Sequence, residues 1–427
     1  MTFANDAYRL DFAANGRYVT LASVEGSPLL TLSLLAAVDT VAAVDETLSL
    51  SPEQGDGAFV VERRSTLWEQ ARLELRCLDT CIELQSFVRG RGAIADVRLL
   101  GGRSLIRGAP LGRVWSRSAL QTLFTPSPED GAAHVRPLAE GTTIGVVGDG
   151  EPGRGRWLFT PAPLYVAFGD GTTWLDLGVA APVGELRVAE LALETTVGGF
   201  ALRLDYDGRT SVEGEFAMPT VVLTPNVPEP LAGLRRHRGD LAKRGAAPEP
   251  QPRASPAWWR EPIFCGWGAQ CHLEVVEGGL ARDYATQERY DGFLAHLEGH
   301  GLVPGTVVLD DKWQATYGGN EPDTGKWPDL RGWIAARHAQ GQKVLLWWKA
   351  WDPEGMAPEL CVRNADGAPV ALDPNVPAAR EKLRRAVRTR LVDLDADGFK
   401  VDFTARTPSG RSLQAADGPW GIAALHE

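Results

Sequence analysis

Cysteine is scarce in this chain, five among 427 residues. Cys77 and Cys81 lie four apart, Cys265 and Cys271 six apart, and Cys361 stands alone. So sparse and odd a set is no disulfide framework. Neither pair has the two-residue spacing of a structural zinc site, and no neighbouring histidines complete one. Reduced thiols, mostly buried, and no metal are the expectation. Basic excess is lacking too: 44 basic against 55 acidic residues leave a formal charge of −11. That gives no electrostatic footprint for nucleic acid, and argues against an anionic membrane as partner. No apolar run reaches the ~18 residues of a spanning helix. The opening MTFANDAYRLDFAANGRY has no basic segment followed by an apolar run, so no signal peptide is expected, and cytoplasm is the expected location. No Gly-rich phosphate loop follows a strand, so no organic cofactor is expected.

What is present divides in two. A chain of 427 residues exceeds the ~250–300 at which single cores stop growing. Up to residue 225 it reads as short strands between turns rich in Gly, Asp and Pro. Examples are Tyr8–Phe12, Phe59–Glu62, Leu73–Leu78, Thr143–Val147, Trp157–Thr160 and Leu202–Tyr206, with turns such as Glu151–Gly155. Many short strands at close spacing predict a sandwich. Leu29–Leu50 reads either as a helix or as two strands. Leu231–Lys243 has helical composition, and the following RGAAPEPQPRASP has little to bury. The expected division is a β-sandwich over 1–240, a linker over 241–260 and a second domain over 261–427.

From Glu261 apolar strands alternate with helix-length segments. Strands are expected at Pro262–Trp267, Thr306–Asp311, Lys343–Trp348 and Gly398–Phe403. Helices are expected at Tyr284–His300, Leu330–Gln340 (ended by Gly341) and Pro377–Val392. This rhythm predicts a parallel sheet covered by helices, either doubly wound or a barrel. Polar and aromatic residues collect at the strand C-terminal ends. They are Trp267 and Gln270, then Asp310, Asp311 and Trp313, then Trp347 to Trp351, then Lys400 and Asp402. In a (β/α) barrel that face gathers side chains from different strands into one pocket.

The chemistry suits a sugar. Carboxylates accept from hydroxyls, and tryptophan faces pack against the apolar side of a pyranose. Lys400 and Asp402 are two apart and point the same way, and an ammonium favours the ionised carboxylate that a nucleophile needs. Alternation would aim Asp310 and Asp311 apart, so the pair must lie where the strand ends. Each feature has a plain structural alternative: a helix cap for Asp310–Asp311, core packing for the tryptophans, a structural ion pair for Lys400–Asp402. Asp352–Pro353 and Asp373–Pro374 read as turns. His272, His296, His300 and His338 read as solvated or capping.

VVLDDKWQ, KVLLWW and GFKVDF, in this order and on these strands, resemble the α-galactosidase-like clan, particularly glycoside hydrolase family 36. The segment YGGNEPDTGKWPDLRGWIAARHAQGQK resembles family 31. The resemblance implies a β-sandwich before a (β/α)8 TIM barrel, a retaining mechanism with Asp402 as nucleophile, and Lys400 on a sugar hydroxyl. It also implies Asp310 and Asp311 on hydroxyls near C4 and C6, with Trp347 lining the pocket; Trp267 and Trp313 complete the expected substrate contacts. The Lys before the nucleophile favours the galactosidase side. Lys312 departs from the pattern, which has glycine there more often.

Residues 261–427 hold four expected strands, against the ~250 residues of a full barrel. The expectation is the first half of such a barrel, with the acid/base beyond residue 427, the final WGIAALHE opening the next barrel helix, and the chain alone inactive. Open barrel edges leave room for a homo-oligomer. The substrate implied is an oligosaccharide or α-glycoside. The alternatives are a raffinose-synthase-like galactosyl transferase and a non-catalytic carbohydrate-binding protein.

Overall fold

The structure, a computed structural model, describes residues 1–55, 57–106, 109–126, 133–138, 143–146, 164–196, 198–249, 254–403 and 410–426. The strand expected at Trp157–Thr160 and the turn at Glu151–Gly155 lie outside them, as does the middle of the Pro-rich stretch after Lys243.

The N-terminal part is an antiparallel β-sandwich. Its strands alternate as half-buried strands must: in Ala58–Ser65 and Gln70–Cys77 every second residue faces the core. Two long strands, Ile82–Leu99 and Gly199–Ala217, pair with each other and tie the sheets together. Tyr8, Leu21, Phe59, Leu75, Phe168 and Phe200 fill the core between them. Residues 29–50 are strands, three rather than two: Pro28–Ser33, Ala37–Thr40 and the start of Thr47–Gln54. Between Asp205 and Thr210 the register of Gly199–Ala217 slips into a wide bulge, turned by Asp207 (φ 53°) and Gly208 (φ 73°) in the left-handed region.

A helix at Pro230–Lys243 lies against the sandwich, with Tyr165 Oη donating to Pro230 O at 2.9 Å and Arg236 paired to Asp176 at 2.9 Å. Beyond it the strands Ile263–Cys265, Thr306–Leu309, Lys343–Trp348 and Gly398–Val401 form a parallel four-stranded sheet in that order. The second strand, TVVL, is wholly buried, as a strand covered on both faces must be. Helices Trp267–Glu277, Gln287–Gly299, Leu330–Ala339 and Pro377–Arg388 join the strands. Asp329 caps the third of these through Gly332 N at 2.9 Å, and Gly341 (φ 79°) stops it. The fold is thus a β-sandwich followed by a partial (β/α) barrel.

Some sequence expectations shift. The first strand ends at Cys265, and Trp267 opens a helix instead. The helix expected to run to Val392 ends in a π-helical turn over Thr389–Asp393. That turn buries Arg390, whose guanidinium lies over Trp348 (4.7 Å) and Trp313 (5.4 Å). The final helix, Ile422–His426, belongs to the sandwich side: Ile422 N and Ala423 N donate to Val188 O and Leu186 O at 3.0 and 2.9 Å. Its apolar face is buried there rather than against the next barrel strand. His338 is no solvated residue, since Nε2 lies 2.8 Å from Asp397 Oδ2. All five cysteines are free, and only Cys361 is fully buried.

Candidate active site

The C-terminal ends of the four parallel strands open on a cavity of about 400 Å³ lined by Trp267, Asp310, Asp311, Trp347, Lys400, Val401, Asp402 and Phe403. Pockets for small molecules run ~300–1,000 Å³. Six of the seven residues expected from sequence are among this lining.

The strand ends set the geometry. Thr306–Leu309 stops just before the two carboxylates, which frees them from alternation. Asp310 is buried; its Oδ2 takes Lys400 Nζ at 2.7 Å and the Cys265 thiol at 2.9 Å. Its backbone N–H donates to Tyr290 Oη at 2.8 Å, which in turn donates to Gln270 Oε1 at 2.9 Å. Gln270 passes its own amide to Ala281 O and Asp311 O. This buried chain fixes the turn that carries both carboxylates. Gly266 is part of it: a Cβ there would overlap the Tyr290 hydroxyl.

Asp311 is held differently. Its Oδ1 is buried and has no hydrogen-bond partner among the described residues. Burial pushes its carboxyl above the usual range and the Asp310 charge adds to this, against the Tyr317 hydroxyl, Lys349 and Lys312. The next residue, Lys312, sits at φ 73°, a left-handed conformation in which glycine is at ease.

Asp402 follows directly on Gly398–Val401. Its Oδ2 accepts from Trp347 Nε1 at 2.8 Å and its Oδ1 from Phe403 N at 2.8 Å. Lys400 Nζ lies 3.9 Å from Oδ2. Burial works against the Lys400 charge, but the hydrogen bond and charge of Asp310 outweigh it and hold the ammonium above its ordinary pKa. Phe403 turns away at φ 56°, which costs a non-glycine residue of order 1–3 kcal/mol.

No family profile matches the chain, and no curated protein matches it. Solved structures do. An α-N-acetylgalactosaminidase from Bifidobacterium bifidum, in complex with GalNAc, matches over 100% of this chain and 73% of its own, at 12% identity and TM-score 0.61. A GH31 family sulfoquinovosidase from E. rectale matches over 99% and 61%, at 12% identity and TM-score 0.55. The chain shares the fold of these two structures, a β-sandwich followed by (β/α)-barrel strands. It spans 61% of that sulfoquinovosidase and 64% of a β-arabinopyranosidase that matches at 12% identity and TM-score 0.49.

Trp313 does not reach the cavity. It has no exposed surface, its Nε1 donates to Trp347 O at 2.9 Å, and it backs Trp347 from the core. Trp267 does line the cavity, but from the first turn of a helix. Cys265, Tyr290, Tyr317 and Phe403 were missed in the sequence. Alternation along the first strand offered a signal for Cys265, which pairs with Val308 and so stands on the same face as Asp310, two residues further on. Among the described residues no group of three His, Cys, Asp or Glu could hold a metal ion.

Proposed function

We propose that this chain carries the nucleophile and sugar-binding half of a retaining α-glycosidase site of the α-galactosidase type. Asp402 attacks the anomeric carbon and forms a glycosyl-Asp intermediate. The observation that carries the reading is the state of Asp402: it borders the cavity with both oxygens taken by N–H donors and an ammonium 3.9 Å away. Such donors fix the direction in which the carboxylate faces the cavity. Asp310 and Asp311, which line the cavity, receive sugar hydroxyls. Trp267 and Trp347 supply apolar surface for the pyranose. The glycosidase fold, shared with an α-N-acetylgalactosaminidase, and the K-x-D order of Lys400 and Asp402 favour a galacto-configured sugar.

Leaving-group protonation is assigned to none of the described lining residues, so the test uses a leaving group that needs none. With 5-fluoro-α-D-galactosyl fluoride, Asp402 Oδ bonds to C1 while the C1–F bond breaks and fluoride departs with the electron pair. The ring fluorine slows hydrolysis, so the adduct accumulates. Mass spectrometry should find one glycosyl group on the peptide containing Asp402. An unlabelled chain, or label persisting in Asp402→Ala, sinks the assignment.

A further inference from the structure

Shortly after Asp311 the chain doubles back as a tight loop over residues 315–321. Ala315 N donates to Glu321 O at 3.0 Å, and a bridge between Gln314 and Pro322 closes its base. The tip, Tyr317-Gly318-Gly319-Asn320, is pinned from two sides. Glu354, in the loop after the third strand, accepts from Tyr317 N at 3.0 Å and from Lys312 Nζ, and its carbonyl takes Gly318 N at 3.0 Å. Only glycine fits at 318, since a Cβ would stand 2.6 Å from Met356 Cε and 2.7 Å from Glu354 O. Asn320, at φ 65°, accepts from the buried Arg390. A loop fixed in this way can aim one side chain accurately.

That side chain is Tyr317. Its ring is half-buried, 5.5 Å from Trp347, with Lys312 Nζ at 3.9 Å and Lys349 Nζ at 5.1 Å over it. Its hydroxyl donates to the Asp311 carboxylate and accepts from Arg282. Burial and the Asp311 charge push the hydroxyl up, so it keeps its proton and remains a donor. Asp310 is gripped by Lys400 and Cys265, but Asp311 is not. Gln270 holds only the Asp311 carbonyl, and Asp311 N donates to Asp310 Oδ1 at 2.8 Å. Against burial, the Tyr317 hydroxyl does more than Lys349 or Lys312 to keep the Asp311 carboxylate charged.

We propose that Tyr317 is the positioning residue of the cleft's second carboxylate: its hydroxyl, backed by Arg282, aims Asp311 at a substrate hydroxyl. This rests on the reading of Asp311 as a sugar contact. Tyr317 is not among the residues that line the cavity, so it acts through Asp311. Hydrogen bonds in a chain polarise one another. Arg282, exposed outside the cavity, therefore strengthens the donor that Asp311 receives.

The test is a double-mutant cycle, with methyl α-D-galactopyranoside titrated calorimetrically into the full chain. Tyr317→Phe keeps the ring and removes only the hydroxyl. Binding should weaken about tenfold, as loss of a hydrogen bond to a charged group requires. Arg282→Ala should weaken it less. In Asp311→Ala, itself weakened, adding Tyr317→Phe should change nothing further. Removing the donor raises the Asp311 carboxyl, so on acidification Tyr317→Phe should lose sugar at a higher pH than its parent. The other charges facing Asp311 are the same in both: Asp310 and Lys312 beside it, Lys349 after the third strand, and Lys326. The carboxyl carbon resonance of Asp311, assigned with Asp311→Asn, should show that rise without sugar. The proposal is overturned if Tyr317→Phe binds like its parent while Asp311→Ala does not, or if its loss is undiminished in Asp311→Ala. A sugar-free Asp311 midpoint that stays in place overturns it too. If Asp311→Ala itself binds like the parent, the sugar-contact reading falls and this inference with it, while the sugar-free titration still reports the Tyr317 contact separately.

Discussion

Asp45, in the sandwich, has no exposed surface and accepts from Val38 N at 2.9 Å, from Arg63 Nη1 at 2.7 Å and from Ser65 Oγ. Asp311, at the end of a barrel strand, keeps one buried oxygen with no hydrogen-bond partner among the described residues. Both are carboxylates withdrawn from water, in two parts of one chain. A saturated carboxylate holds its surroundings together and has nothing left to offer a ligand. An unsaturated one costs stability in the empty protein and returns it when a hydroxyl arrives. Between them stands Asp402, whose two oxygens each have one N–H donor; a carboxylate oxygen has a second lone pair, so orientation and reactivity coexist.

The contrast can be broken in four places. The largest effect belongs to Asp402→Ala, which should lower the rate of labelling by the galactosyl fluoride at least ~1000-fold, equivalent to about 4 kcal/mol, with the melting temperature nearly unchanged. Next is Asp45→Ala: with Arg63 left buried and alone, urea unfolding should show a loss of ~3–5 kcal/mol. Asp311→Asn should cost no more than about 1 kcal/mol in the same assay yet weaken galactoside binding. If both variants lose stability equally, the distinction between holding and waiting carboxylates fails.

The third test is pH. Burial is the main cause that pushes Asp176 and Asp205 up to about 6. Their folded pKa values lie above the unfolded carboxylate value, so folding takes up protons between ~4 and ~6. That stabilisation is complete below the unfolded pKa and is lost as pH rises through 6. The urea midpoint should therefore climb as pH drops from 7 towards 5. Below ~4 it should fall again, because Asp397, held low by Lys343, Val344 N and His338 against its burial, then takes up its proton. A midpoint that declines steadily from pH 7 to 5 contradicts the assignment. The smallest effect concerns Cys265. Its thiol donates to Asp310, and serine keeps a donor there. Cys265→Ser should change the labelling rate less than about threefold, and Cys265→Ala more, because alanine removes a donor to the Asp310 carboxylate.

The legible parts of the sequence were those with local causes. Lys343–Trp348 stands where expected, because a run such as VLLWW can bury both faces only in a covered parallel strand. The strand ends were read a residue or two long, and that mattered once. The chain turns at Gly266 straight into a helix, so Trp267 reaches the cavity from a helical turn rather than from a strand. The ion pair of Lys400 with Asp310 was beyond local reading. Those residues sit on the fourth strand and after the second, and the third strand lies between. The sequence shows Lys400 beside Asp402, while the structure shows its shorter contact, 2.7 Å, with Asp310. Trp313 was misjudged for a related reason: an aromatic after two carboxylates can face the cleft or support it from behind, and only the third strand's Trp347 O decides. The last helix carries an apolar face that would suit either neighbour, and Leu186 and Val188 of the sandwich claimed it.

Gly266 has a consequence for how this cleft can change over generations or in a mutant library. Any Cβ at 266 would overlap not only the hydroxyl of Tyr290 but the ring carbon that bears it. Tyr290→Phe therefore opens no room, and a library randomised at 266 alone should return glycine in every folded clone. Substitution at 266 becomes admissible only after position 290 has shrunk past phenylalanine. That first step removes the partner of the Asp310 backbone N–H. The two positions thus impose an order on mutation, and the path between them passes through a loosened carboxylate turn.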